Sequence, residues 1–483
     1  MIFRIENVGP LREAEVDLSK RLLVLTGPNN TGKTYLAWSV YGLHRPALKT
    51  GSSSLEKVAA ALLASPRCEI DLATTLPALG QDLLSMIAAS FAGSIHHCFA
   101  TEPSRFEGAR ISLREQHAGE ALERLVQASG WTSGFLAKES GELVLLDHPE
   151  GSTRLTLAIP APARSNMDVR EVFELVGTGA LVEETVSAFA SMTQEHRRKV
   201  LTRLSDEIDS SVRRSLLPKC VLFPAERIAV NIFAKELALK RTELVDELVD
   251  ADIDGQRQVP LDVIRRSAGR YPWPIRDSLR TANDLTRLSR SESPFADIAS
   301  EIESAVLAGK MEVTSEGEMS FVPKGAPDRH LGMHLTASVV KSLSSLVFYF
   351  RHLARAGDFL IIDEPELNLH PDNQRKLARI LAKAVKQGFK IMMSTHSDYI
   401  VRELNHMIML SKLAPDDASA LGYDPACALA PEDVGVYLFD EQTAKALPVT
   451  ETGFSVPTID EQINSLNADA QRLYARIFSE EPS

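Results

Sequence analysis

Apolar residues in this chain form a few short unbroken runs, set among long stretches with helical period. Leu22 to Leu25, Cys220 to Phe223, Phe359 to Ile362 and Phe389 to Ser394 are such runs. Lacking alternation, they predict strands buried on both faces, as in a parallel sheet covered by helices. Ile2 to Ile5 and Ala14 to Leu18, joined by a Gly9-Pro10 turn, predict a small β layer ahead of the first buried strand. Further strand-like runs are Arg110 to Arg114, Glu142 to Asp147 and Thr153 to Ile159, the last two flanking a Pro-Glu-Gly turn as a hairpin. A second hairpin is expected from Met311 to Thr314 and Met319 to Val322. Strands are also expected at Val434 to Phe439 and Ala446 to Thr450. Helical period marks Leu55 to Leu63, Gln81 to Phe91, Glu120 to Ser129, Leu181 to Ser215, Ala234 to Val249 and Ile459 to Ile477.

The pattern is that of an α/β protein. Its 483 residues exceed what one growing core holds, so two or three domains are expected. The net charge of −12 argues against a surface coated in basic residues. Cys68, Cys98, Cys220 and Cys427 are scattered without a C-x-x-C pair, so neither a disulfide framework nor a zinc site is expected. That usage fits a reducing cytosol, and a cytoplasmic location is the expectation. No secretory leader is read at MIFRIENV, and no apolar run approaches the ~20 residues that span a bilayer.

The chemistry begins where the first buried strand stops. Gly27, Pro28, Asn29, Asn30, Thr31, Gly32, Lys33 and Thr34 complete the pattern G-x-x-x-x-G-K-[ST] between a strand and a helix-compatible run. Glycines let such a loop curl its N–H groups toward phosphate oxygens, and the helix N-terminus adds partial positive charge. Lys33 can reach the β- and γ-phosphates and Thr34 can offer its hydroxyl to Mg2+. Far downstream, the Phe359 run ends in Asp363 and Glu364. Asp363 is placed to hold the Mg2+ shell, and Glu364 to take a proton from attacking water. The Phe389 run ends at Thr395-His396-Ser397, where His396 can contact the γ-phosphate or orient water. Glu226 and Arg227 stand at the carboxyl end of the Cys220 strand, where α/β sheets collect ligand chemistry. Two stretches are basic: His196 to Arg203, and the run Arg257, Arg265, Arg266, Arg270, Arg276, Arg280, Arg287 and Arg290 with Tyr271 and Trp273 interleaved. The second can track a phosphate backbone or pair within the chain.

The loop GPNNTGKT, the strand FLIIDE followed by PELNLHP, and the histidine of STHSD together resemble the ABC-type ATPase heads of the AAA family's SMC, RecF and OLD group. The resemblance implies a P-loop ATPase head with a mixed sheet and two inserted, largely helical lobes, using ATP and Mg2+. The head would comprise 1–45, 219–230 and 330–410. The insertions would be 46–218 and 231–329, and an α/β tail 411–483. In such heads two subunits close head to tail on two ATP molecules. The signature residue offered to the partner's nucleotide would be Ser338, with Thr336 as alternative and Lys341 near the phosphates, although no glycine follows Ser338. Asn368 and His370 occupy the loop that communicates across the dimer, and no Q-loop glutamine is evident unless the Pro-Ala-Glu-Arg stretch replaces it. The tail lacks the D-x-D constellation of a nuclease, and no heptad arm joins the two halves. The layout is similar to compact ATPases of phage-defence operons, whose nucleotide-dependent head dimerisation controls a separate effector. The alternatives are a RecF-like clamp that binds duplex DNA, and a scaffold that binds ATP without turnover.

Overall fold

The computed structural model describes residues 1–45, 67–71, 84–114, 131–137, 142–148, 154–158, 217–234 and 271–478, with 67–71, 131–137, 142–148 and 154–158 as backbone strands. The helices expected at 55–63, 120–129 and 181–215, the basic stretch 196–203, nearly all of the helix expected at 234–249, and Arg257, Arg265, Arg266 and Arg270 lie outside the described residues.

Sixteen strands are described. In chain order they are β1 (Ile2–Val8), β2 (Leu11–Asp17), β3 (Leu22–Thr26), β4 (Arg67–Asp71), β5 (Arg110–Arg114), β6 (Trp131–Ala137), β7 (Glu142–His148), β8 (Arg154–Ala158), β9 (Cys220–Phe223), β10 (Gly309–Val313), β11 (Met319–Pro323), β12 (Leu331–Gly332), β13 (Phe359–Asp363), β14 (Lys390–Ser394), β15 (Val434–Asp440) and β16 (Thr443–Leu447). The principal helices are α1 (Lys33–Leu43), α2 (Trp273–Asn283), α3 (Ala296–Ile302), α4 (Ser338–Phe348), α5 (Pro371–Lys386), α6 (Asp398–Leu410) and α7 (Pro457–Phe478).

One sheet has the order β5-β1-β2-β16-β15-β3-β14-β13-β9. From β15 to β9 every pairing is parallel, whereas β15 and β16 form an antiparallel hairpin. The parallel centre is made of the unbroken apolar runs: β3 and β13 are buried at every position. That is what a sheet covered on both faces requires. A separate sheet, β4-β8-β7-β6, contains the antiparallel β7–β8 pair expected around the Pro-Glu-Gly turn. The hairpin of β10 and β11 is antiparallel, with β12 alongside.

Two compact units divide the chain. One holds Phe3–Leu43, Gly93–Ile111 and Lys219–Ser483; the other holds Met1–Ile2, His44–Ala92 and Ser112–Pro218. This differs from the expected boundaries in two places. Residues 93–111, expected inside the 46–218 insertion, pack with the head. Phe99 stacks on Tyr35 and Trp38 of the α1 segment at 4.7 and 5.8 Å, which anchors the segment. Residues 434–447, expected in a separate tail, supply β15, which pairs directly with β3. The strand expected at Ala446 to Thr450 begins earlier, at Thr443, because the turn at Glu441 and Gln442 is tight and both residues adopt positive φ.

Local sequence explains the helix carrying the head's second layer. α5 opens with His370 as N-cap, Pro371 in the first position and Asp372 in the first turn; it closes on Lys383 and Lys386. Gly388, at φ +100°, then turns the chain into β14. Leu377, Ile380, Leu381 and Val385 form its buried stripe against the sheet core, and each buried side chain contributes roughly 1.5–3 kcal/mol. α7 differs: none of its residues is buried, and Leu466, Leu473, Tyr474 and Ile477 stand exposed.

Candidate functional site: the loop, the carboxylate strand and α4

The loop after β3 is shaped by two glycines that nothing else could replace. Gly27 has φ +128°, and a Cβ there would lie 2.2 Å from the backbone oxygen of Phe439. Gly32 has φ +103°, and its Cβ would meet the Leu11 side chain at 2.5 Å. Thr31 Oγ1 closes the turn by donating to the Pro28 carbonyl at 2.8 Å. Pro28, Asn29, Asn30 and Thr34 are exposed, while Gly32 and Lys33 are buried. Lys33 Nζ donates to the carbonyls of Gly27 at 3.0 Å and Pro28 at 2.6 Å. Burial pulls its ammonium down to about 8, opposed by the charges of Asp363, Glu364 and Glu366.

The parallel register brings the distant carboxylates to this loop. β14 lies between β3 and β13, pairing Ser394 with both Leu25 and Asp363. Thr34 Oγ1 donates to Asp363 Oδ2 at 3.2 Å, across 329 positions of sequence. Ser394 Oγ donates to Asp363 Oδ1 and accepts from the Glu364 backbone N–H at 3.1 Å. Glu364 has φ +49°, an uncommon left-handed conformation for a residue with a side chain. Burial, then the neighbouring Asp363, raises its carboxyl above the ordinary range. His396 stands exposed after β14; burial of part of its ring and the charge of Lys33 hold the imidazole below its usual value, toward the neutral form.

Glu366 and Ser394, which drew no functional reading from the sequence, and the strand-end pair Glu226 and Arg227 complete the arrangement. Glu366 Oε1 accepts from Thr395 Oγ1 at 2.9 Å and from the His396 N–H at 2.7 Å, so it shapes the histidine turn. Its other oxygen is buried without a partner, and burial raises this carboxyl too. Ser394 was visible in the sequence only as the one hydroxyl ending an apolar strand. Of the pair Glu226 and Arg227, Glu226 faces solvent and Arg227 is 3% exposed. Arg227 Nη1 donates to Asp363 O at 2.7 Å and Pro224 O at 3.1 Å. Nη2 donates to Glu364 O at 2.8 Å and Ser342 Oγ at 3.1 Å, and Nε donates to Ser342 O at 2.9 Å.

Ser342 lies in α4, the helix expected to carry the signature. Ser338 is its first residue and is exposed, beside exposed Leu335 and Ala337. Thr336, the alternative, is buried, and its hydroxyl donates to the Met333 carbonyl at 2.8 Å. It serves the local turn instead of facing outward. Lys341 Nζ donates to the His334 carbonyl at 3.2 Å. Asn368 is exposed at φ +63°, and His370 Nδ1 caps α5 by accepting from the Asp372 N–H at 3.3 Å. Among the described residues, neither Ser338 nor Asn368 hydrogen-bonds to the loop. In the arginine-rich run, Arg280 pairs with Asp277 at 3.5 Å, and Arg287 pairs with Asp284.

Residues 186–401 match the family model described as AAA ATPase domain. Over 69 residues the chain is 36% identical to the cell division ATP-binding protein FtsE of Streptococcus pneumoniae, in strain D39 and strain R6 alike. That is 14% of this chain and 30% of FtsE, so less than a third of the curated relatives' length is matched. Among solved structures, the chain is similar to the Smc head domain of Pyrococcus furiosus bound to the C-terminal domain of ScpA, at 12% identity, covering 96% of this chain and 98% of that one with a TM-score of 0.29. The SMC head domain from Thermotoga maritima aligns at 10% identity over 93% and 98%, with a TM-score of 0.29. Among the described residues no helix is long and apolar enough to cross a membrane.

Proposed function

We propose that this chain is an ATP hydrolase whose two copies close head to tail on bound nucleotide, and that this closure controls a separate effector protein in the cytoplasm, in the manner of anti-phage ATPases. The observation that carries the reading is the 3.2 Å contact of Thr34 Oγ1 with Asp363 Oδ2, beside the buried ammonium of Lys33. A hydroxyl and a carboxylate of hard oxygen character suit Mg2+. The two glycines let the loop curl at positive φ against Phe439 and Leu11, where any side chain would collide. These residues fit a nucleotide with its magnesium.

Thr34 and Asp363 would hold the metal, and Gly27 to Lys33 would wrap the phosphates. When bound, Mg2+ supplies positive charge against the β- and γ-phosphate oxygens. Lys33 fixes the phosphates by a point charge. Glu364 takes a proton onto its carboxylate from the attacking water; a raised carboxyl is a stronger base than a free one. His396, held toward neutrality and positioned through Glu366, orients that water from the other side. Ser338, exposed at the start of α4, and Asn368 are the groups offered to a second copy.

The test is nucleotide-dependent assembly. Glu364→Gln keeps the side chain's shape but cannot accept the proton. The variant should bind ATP, lose about 10²-fold or more in turnover, and accumulate as a dimer by light scattering. A variant that stays monomeric with saturating ATP would refute closure, and unchanged turnover would refute Glu364 as the base.

A further inference from the structure

Arg227 has more hydrogen bonds than its surroundings need for packing alone. Its guanidinium is buried and makes five bonds to four residues on three segments. Two go to the carbonyls of Asp363 and Glu364, and two to the backbone and hydroxyl of Ser342 in α4. Ser342 Oγ in turn donates to the Leu367 carbonyl at 3.1 Å, beyond the carboxylates. The backbone of Glu364 is therefore held at both ends. Its N–H donates to Ser394 Oγ at 3.1 Å and its carbonyl accepts from Arg227 at 2.8 Å. A left-handed glutamate needs such holding, because the conformation persists only where its surroundings impose it. Asn231, one helical turn beyond Arg227, repeats the tie: its Nδ2 donates to Lys341 O at 2.9 Å and Ser344 Oγ at 2.8 Å.

α4 thus reaches Glu364 through one planar cation. Ser338 and Ser342 are four residues apart, one turn of the same helix, so a displacement of the helix N-terminus carries Ser342 with it. A guanidinium is suited to this role, since its fork fixes the direction of each bond and it stays charged when buried.

We propose that Arg227 is a positioning residue that couples α4 to the backbone of Glu364, so that seating Ser338 on a second copy's nucleotide sets the aim of the Glu364 carboxylate in its own site. This rests on the reading of Glu364 as base and Ser338 as the group offered in trans, and it adds the connection between them.

A cavity of about 180 Å3 makes the coupling testable. It is lined by Arg227, Asn231, Val230 and Ser345, and the Ser345 hydroxyl has no partner. Removing the arginine side chain should open its position to a small ion from this space. With Arg227→Ala, monomer affinity for ATP should stay within about threefold, while kcat falls about tenfold or more. Millimolar guanidinium should restore a large part of kcat, and methylammonium, a point charge without the fork, should not. Ser342→Ala removes only the hydroxyl bonds, and should lower kcat by less than Arg227→Ala does. Normal kcat in a folded Arg227→Ala, or equal rescue by both ions, would overturn the coupling. If Arg227→Ala does not fold, normal kcat in Ser342→Ala overturns it. Failure of the underlying reading looks different, because Glu364→Gln itself would then retain turnover.

Discussion

The Lys33 ammonium donates to the Pro28 carbonyl at 2.6 Å, so the cation sits across the loop's own backbone and is buried there. Its pKa of about 8 follows from that burial, only partly offset by Asp363, Glu364 and Glu366. Bound phosphates favour the charged form and raise this pKa. Below pH 8 the lysine is already charged and binding takes up no proton. Above pH 8 the free protein has lost the charge and must regain it. ATP affinity should therefore fall about tenfold between pH 7 and pH 9. Calorimetry in buffers of different ionisation enthalpy should show proton uptake at the higher pH. Lys33→Met should bind weakly with little dependence on pH. A flat profile in the unsubstituted protein would remove Lys33 from the phosphate site.

The parts of this site that local pattern could reveal were the apolar strands and the residues ending them. Leu22 to Leu25, Cys220 to Phe223 and Phe359 to Ile362 became β3, β9 and β13 because burial on both faces leaves an unbroken apolar run. Pairing leaves no such trace. β15 beside β3 joins segments more than four hundred residues apart, and its register depends on neighbours that the run of residues does not name. The same holds for polar groups. The Pro-Ala-Glu-Arg stretch stood out as charge at a strand end, but that its arginine turns inward and its glutamate outward depends on Ser342 and Glu364 meeting it in space. Residues 93–111 read as part of an insertion, yet their attachment to the head rests on ring stacking of Phe99, which has no periodicity, and on the start of β5 pairing beside β1.

Glu403 gives a test of what stabilises the second layer. It lies on α6 at 1% exposure, with Arg375 Nε at 2.7 Å and Arg379 Nε at 2.5 Å, both from α5. Breaking a fully buried pair typically costs 3–5 kcal/mol, but these arginines are partly open to water and can rehydrate. Glu403→Ala should cost about 1–3 kcal/mol and lower the melting temperature by several degrees. Glu403→Gln, which retains acceptor oxygen, should cost less. ATP affinity should be unchanged in both, since the clamp lies outside the loop. A thermal melt identical to that of the parent would show that the pair contributes nothing net.

In the proposed closure Ser338 makes the trans contact, and its exposure at the first residue of α4 makes that testable. If heads close on ATP, Ser338 of one copy faces the phosphates held by Lys33 of the other. Ser338→Arg should leave ATP binding by the monomer intact, because no contact within its own loop is touched. It should abolish ATP-dependent dimerisation and, with it, hydrolysis. Mixing Ser338→Arg chains with Lys33→Ala chains then separates the roles. Each composite site takes its loop from one copy and its α4 from the other, so a mixed dimer has one site with both defects and one with neither. Turnover should return on mixing, up to half that of an unsubstituted dimer if the sites fire independently. Mixed dimers demonstrated by light scattering yet without turnover would mean that both sites must be intact together. Loss of ATP binding in the Ser338→Arg monomer would instead make Ser338 part of its own copy's site and remove it from the dimer contact.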